Sequence, residues 1–70
     1  MLPFARAGRV PDVVGLSLEQ ARHRLAKRKL AGTIRAYGDG APAGTVLAQF
    51  PKAGRAAVPN MTIRLIVARG

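Results

Sequence analysis

The sequence predicts an α+β fold: one α-helix packed on a three-stranded, mainly antiparallel β-sheet. Two observations carry this. Val10–Leu30, VPDVVGLSLEQARHRLAKRKL, is the only stretch with a helical apolar period and a capping signal. Three later runs, TIRAY, TVLAQF and TIRLIVA, alternate or are rich in β-branched residues, and turn-forming residues separate them. A helix with a single apolar stripe needs a partner, and a small sheet supplies one.

The elements follow in chain order. Met1–Arg9 has no periodicity and reads as a flexible lead-in or linker remnant, which leaves residues 10–70 as a single domain. Pro11 pushes Val10 toward extended geometry, and Gly15 allows a sharp turn into the helix. Ser17 stands at the N-cap position, and Gln20 three residues on completes a capping box. Leu16 and Ala21 are placed to form a hydrophobic staple. Leu18, Ala21 and Leu25 make the apolar stripe, with Ala26 on its flank. His23, Arg24, Lys27 and Arg28 fall on the other side. The helix is expected to end near Arg28 or Lys29, where basic residues suit the dipole and Gly32 breaks the pattern.

Thr33–Tyr37 is the first expected strand and Gly38–Pro42 a loop. Thr45–Phe50 is the second, ended by Pro51, which cannot donate to a ladder. Asn60 tolerates a left-handed backbone. Thr62–Ala68 is the third and most β-branched strand, with Ile63, Leu65 and Val67 toward the helix and Arg64 and Ile66 away. The connections, about seven to twelve residues, permit antiparallel pairing but are long for simple hairpins, so bulges or extra turns are expected.

Composition narrows the function classes. Twelve Lys and Arg against three acids give a net charge of +9 on 70 residues. Such a charge attracts anionic polymers: nucleic acid, anionic lipid or acidic cell-wall material. There are no cysteines to form a disulfide or a thiolate metal site. No apolar run approaches transmembrane length, so no membrane insertion by this segment is expected. The first nine residues do not form a signal-peptide core. The chain reads either as an excised piece of a longer protein or as a small stand-alone one.

A catalytic reading fails on inventory. The lone histidine, His23, lacks partner ligands, and the acids Asp12, Glu19 and Asp39 are scattered. Glu19 suits a helix N-terminus and Ser17 is a cap. The Gly38–Asp39–Gly40 loop lacks the lysine and hydroxyl of a phosphate loop and precedes a strand. No catalytic residue, metal or cofactor is expected.

The segments Val10–Ala21 (VPDVVGLSLEQA) and Ala43–Gly54 (AGTVLAQFPKAG), with the closing run Ile63–Gly70 (IRLIVARG), resemble a PASTA domain. The resemblance spans about sixty residues, nearly all of the chain outside the lead-in. Pro11, Gly15, Ala21, Gly44, Pro51 and Gly54 carry it, and they specify architecture. Lys29 stands where the family usually has glycine. A left-handed lysine is strained, so the helix is expected to end differently. Asn60 also replaces a frequent glycine, and Ala68 the family's closing serine.

The resemblance implies a non-catalytic extracytoplasmic module of a bacterial penicillin-binding protein or Ser/Thr kinase. Its implied partners are peptidoglycan fragments, muropeptides or β-lactams, with a neighbouring transpeptidase or kinase domain in the parent chain. The alternatives are a spacer or allosteric strut without ligand, and a basic protein that binds nucleic acid electrostatically. Arg35, Tyr37, Arg55, Arg64 and Arg69 are the candidate ligand-binding residues, with Arg35, Tyr37 and Arg64 expected on the outer sheet face. His23, Arg24, Lys27 and Arg28 form the expected non-specific basic face. Low aromatic content weakens base stacking as a binding mode.

Overall fold

The structure, a computed structural model, describes residues 8–70. Met1–Ala7, most of the expected lead-in, lies outside the described residues. The order is α1 (Leu18–Ala26), β1 (Ala31–Gly38), β2 (Val46–Phe50) and β3 (Thr62–Ala68). One helix packs on one three-stranded sheet, as the sequence predicts.

The helix starts where its cap demands. Ser17 is extended, its Oγ accepts from the Gln20 N–H at 3.1 Å, and Gln20 Oε1 accepts from the Ser17 N–H at 3.2 Å. Glu19 adds a negative charge in the first turn. Ala21 and Leu25 are fully buried, while His23, Arg24, Lys27 and Arg28 are exposed.

The far end departs from expectation. Regular helix stops at Ala26, but the Leu30 N–H donates to the Leu25 carbonyl at 3.0 Å and the Lys29 N–H to the Ala26 carbonyl at 3.0 Å. This is the Schellman pairing, and Lys29 takes its left-handed position at φ 60°. The helix keeps the glycine-type ending with lysine in it, because Leu30 must turn back into the core, where it is 4% exposed. Asn60 is likewise left-handed, at φ 67°.

The sheet order is β1-β3-β2. The expected antiparallel pairing holds for β2 with β3, while β1 runs parallel to β3. β3 takes the centre because its inward residues Ile63, Leu65 and Val67, all 2% exposed or less, need neighbours on both sides. β2 is suited to an edge, since Pro51 follows it. The 39–45 connection carries the chain over β3 to the far edge. Both pairings contain a bulge, between Ile34 and Ala36 in β1 and between Val46 and Ala48 in β2.

β1 is longer than TIRAY and begins at Ala31. Gly32 therefore lies in the strand, opposite Ile63. A Cβ there would sit 3.0 Å from Leu25 Cδ1 and 3.1 Å from Leu65 Cδ1, so its bare backbone lets the helix lie close on the sheet.

The leading segment closes the structure. Gly15 N–H donates to the Val46 carbonyl and Val46 N–H to the Leu16 carbonyl, each at 2.8 Å. Gly8 and Arg9, grouped with the lead-in by sequence, are also tied in: the Ala57 N–H donates to the Gly8 carbonyl, and Arg9 bridges Ala56. Val10, Val13, Leu30, Val46 and Ala57 complete the core around the helix and β3.

One buried polar side chain fastens this arrangement. Gln49, 4% exposed, accepts from the Val13 N–H at 2.8 Å through Oε1. Its Nε2 donates to the carbonyls of Pro11 at 2.9 Å and Pro51 at 3.2 Å. The amide thus acts as the hydrogen-bonding partner of the leading segment at both the Pro11 carbonyl and the Val13 N–H.

Two predictions follow from these contacts. Ser17→Ala should cost about 1 kcal/mol by removing the cap acceptor, whereas Lys29→Gly should stabilise by about 0.5–1 kcal/mol by relieving the left-handed strain; urea denaturation of the two variants reads both signs. Gln49→Leu should cost about 2–4 kcal/mol, because it strands a buried N–H and two carbonyls, and hydrogen exchange at the Val13 amide should accelerate more than in the Ser17 variant.

Candidate functional site

The open face of the sheet is the first candidate. The helix covers the side carrying Ile63 and Leu65, so Arg64 between them points outward by strand alternation and is exposed. In register with Arg64 lie Thr33 on β1 and Phe50 on β2. The next outward row is Ala36, Ile66 and Ala48. Leu47 reaches over this row: a Cβ on Gly38 would stand 2.9 Å from its Cδ1 and 3.6 Å from Ile66 Cγ2. The face is thus an apolar strip with one guanidinium at its end. Phe50 is 37% exposed, and beside it a shallow depression of about 350 Å³ is lined by Val14, Leu47 and Ala48.

The bulges create this surface. Without one in β2, Val46, Ala48 and Phe50 would share a face and Gln49 would point out. The extra residue at Leu47 inverts the alternation, so Val46 and Gln49 enter the core while Ala48 and Phe50 turn outward. The apolar floor was hidden in the sequence for this reason. The one available signal was a glutamine inside an otherwise apolar strand.

The same inversion acts on β1. Arg35 is the extra residue of its bulge, and Tyr37 beyond it falls opposite Val67, on the core-facing side of the sheet. Tyr37 is 55% exposed there but does not belong to the outer face that the alternation of TIRAY predicts. The five sequence candidates therefore do not converge. Arg64 stands on the outer face, with Arg35 exposed at the neighbouring bulge. Arg69 is turned to the end of β1, where Nη2 donates to the Tyr37 carbonyl at 3.0 Å and Nε lies 3.3 Å from Asp39 Oδ1. Arg55 sits in the 51–61 connection, its carbonyl accepting from the Val10 N–H.

The helix side carries a second feature. An open groove of about 770 Å³ runs along α1 beside the leading segment, between Pro11, Asp12 and Leu16 on one side and His23, Arg24, Lys27 and Arg28 on the other. The basic band is thus one wall of a groove. Among the described residues no cluster of three or more His, Asp or Glu could hold a metal ion, and no helix is long and apolar enough to cross a membrane.

The sequence and the fold both match known proteins. The sequence profile of the PASTA domain family fits residues 8–69. The chain belongs to the PASTA domain family. Solved structures agree. The entire extracellular region of the Ser/Thr kinase PrkC from Staphylococcus aureus is 26% identical, with a TM-score of 0.73, over 89% of this chain and 23% of that one. The three-PASTA-domain structure of a Ser/Thr kinase from Staphylococcus aureus is 25% identical, with a TM-score of 0.75, over 89% of this chain and 32% of that one. This PASTA domain thus spans less than a third of the solved chains it matches. No curated protein matches it significantly. In both solved relatives the matching domain belongs to a Ser/Thr kinase.

Proposed function

We propose that this PASTA domain is a non-catalytic recognition module on the wall-facing side of a bacterial membrane, binding peptidoglycan fragments through its open sheet face. Its parent chain carries a kinase or transpeptidase domain, and the module reports or localises wall material to it. The observation that carries this reading is the outward row Thr33–Arg64–Phe50, set beside the apolar strip of Ala36, Ile66 and Ala48.

Stem peptides of peptidoglycan carry free carboxylates and short aliphatic side chains. A guanidinium receives a carboxylate through two parallel N–H donors. Arg64 is held on a central strand, so little order is lost on binding, and Arg35 on the adjacent strand adds a second cation. The exposed apolar strip accepts the aliphatic part of the ligand. Arg69 is already paired with Asp39 and with a backbone carbonyl, so we assign it to holding the end of β1.

The test is an NMR titration of the domain with a muropeptide. Saturable shifts should cluster at Thr33, Arg64 and Phe50. Arg64→Ala should weaken binding about tenfold to a hundredfold, the worth of a charge-assisted contact of about 1.5–3 kcal/mol. Arg64→Ala with Arg35→Ala should abolish the shifts while the spectrum stays dispersed. Saturable shifts confined to the helix groove would overturn the choice of face. No shifts in the unmutated protein would favour a structural strut.

A further inference from the structure

We propose that the groove along α1 is a second, separate site, which holds a flexible linear phosphodiester polymer by its phosphates. Its basis is a row of guanidiniums that the fold fixes in place and leaves without acidic partners. Arg24 Nη1 donates to the Asp12 carbonyl at 3.1 Å, and Arg28 Nη1 donates to the Arg9 carbonyl at 2.8 Å. Arg9 Nη1 in turn donates to the Gly54 carbonyl at 2.8 Å. Each hydrogen bond spends one N–H of five and leaves the rest of the fork free. The relay runs from the helix, across the leading segment, to the 51–61 connection, where Arg55 is exposed.

The charges are uncompensated. The ion pair among the described residues, Arg69 with Asp39, lies elsewhere. Asp12 borders the groove, but its Oδ1 accepts from the Val14 N–H at 3.1 Å, and Glu19 stands at the helix N-terminus. Arg24 meets Asp12 through the backbone carbonyl, and Arg28 meets the Arg9 carbonyl, so neither guanidinium is in an ion pair among the described residues. Arg24 and Arg28 are one turn apart and repel each other. A fold that holds like charges side by side on neutral carbonyls is arranged for an external anion.

The chemistry selects the anion. Guanidinium forks pair bidentately with phosphate, and a row of them fits a polymer with a phosphate in every unit. No Phe, Tyr or Trp lines the groove and His23 is its one ring, so successive bases have no stacking platform and recognition rests on the backbone. The phosphates of a wall-type polyol polymer and of a single-stranded nucleic acid are equivalent to such a row.

Fluorescence anisotropy of the 70-residue chain tests this, with three probes matched in charge number: a poly(glycerol phosphate) oligomer, oligothymidylate and oligoglutamate. The two phosphate polymers should bind within about threefold of each other, and oligoglutamate at least fivefold more weakly. Arg24→Gln with Arg28→Gln should weaken phosphate binding at least tenfold. It should also flatten the slope of log K against log salt by about 1.4, two contacts at about 0.7 each. Arg24→Lys with Arg28→Lys keeps the charge and loses the fork, so it should still weaken binding several-fold. A charge-matched control, Arg22→Gln with Lys52→Gln, should change affinity less than threefold.

Equal loss in the control would reduce the effect to net charge and overturn the site, as would equal binding of oligoglutamate. A strong preference for oligothymidylate would mean base contacts and overturn backbone recognition. These outcomes do not touch Arg64, so this site and the muropeptide reading fail independently.

Discussion

The structure depends on the buried amide of Gln49. The Pro11 carbonyl and the Val13 N–H of the leading segment are met by a side chain of β2. One glutamine serves them together with the Pro51 carbonyl, at 2.8–3.2 Å. An amide has both a donor and an acceptor end, so no aliphatic residue and no carboxylate can serve all three partners. With the leading segment pinned, Val10 and Val13 enter the core and Ser17 arrives beside Thr45, ready to cap the helix.

The same constraint shapes the surface. Turning Gln49 inward requires the bulge at Leu47, and that bulge delivers Ala48 and Phe50 to the open side of the sheet. A polar group satisfied inside is thus coupled to an apolar strip outside. The bulge in β1 carries Arg35 and faces the Leu65–Ile66 step of β3, one residue from the Ile66–Val67 step that the β2 bulge faces. Core geometry and the proposed ligand face are therefore consequences of one register choice.

The two faces divide the domain's chemistry. The sheet face offers one rigid arginine among apolar groups, which suits a small amphiphilic ligand. The helix groove offers two arginines held by backbone carbonyls, with Arg9 next in the relay, which suits a polymer of repeating charge. A single helix over a three-stranded sheet leaves both surfaces open, since it covers only one side of the sheet and one stripe of itself.

Local signals in the sequence determined the helix, its cap, the three strands, the inward set Ile63, Leu65 and Val67, and the family. Each depends on neighbours within a few residues, where spacing and turn chemistry act directly. Strand order, the parallel pairing of β1 with β3 and the placement of Gly32 within β1 were decided by tertiary packing, because they follow from how the whole apolar surface is buried. The two bulges were decided there as well. A bulge inverts every side chain after it, so Tyr37 and Phe50 changed faces without any change in local pattern. Lys29 shows the same hierarchy: local preference opposes a left-handed lysine, and burial of Leu30 overrides it.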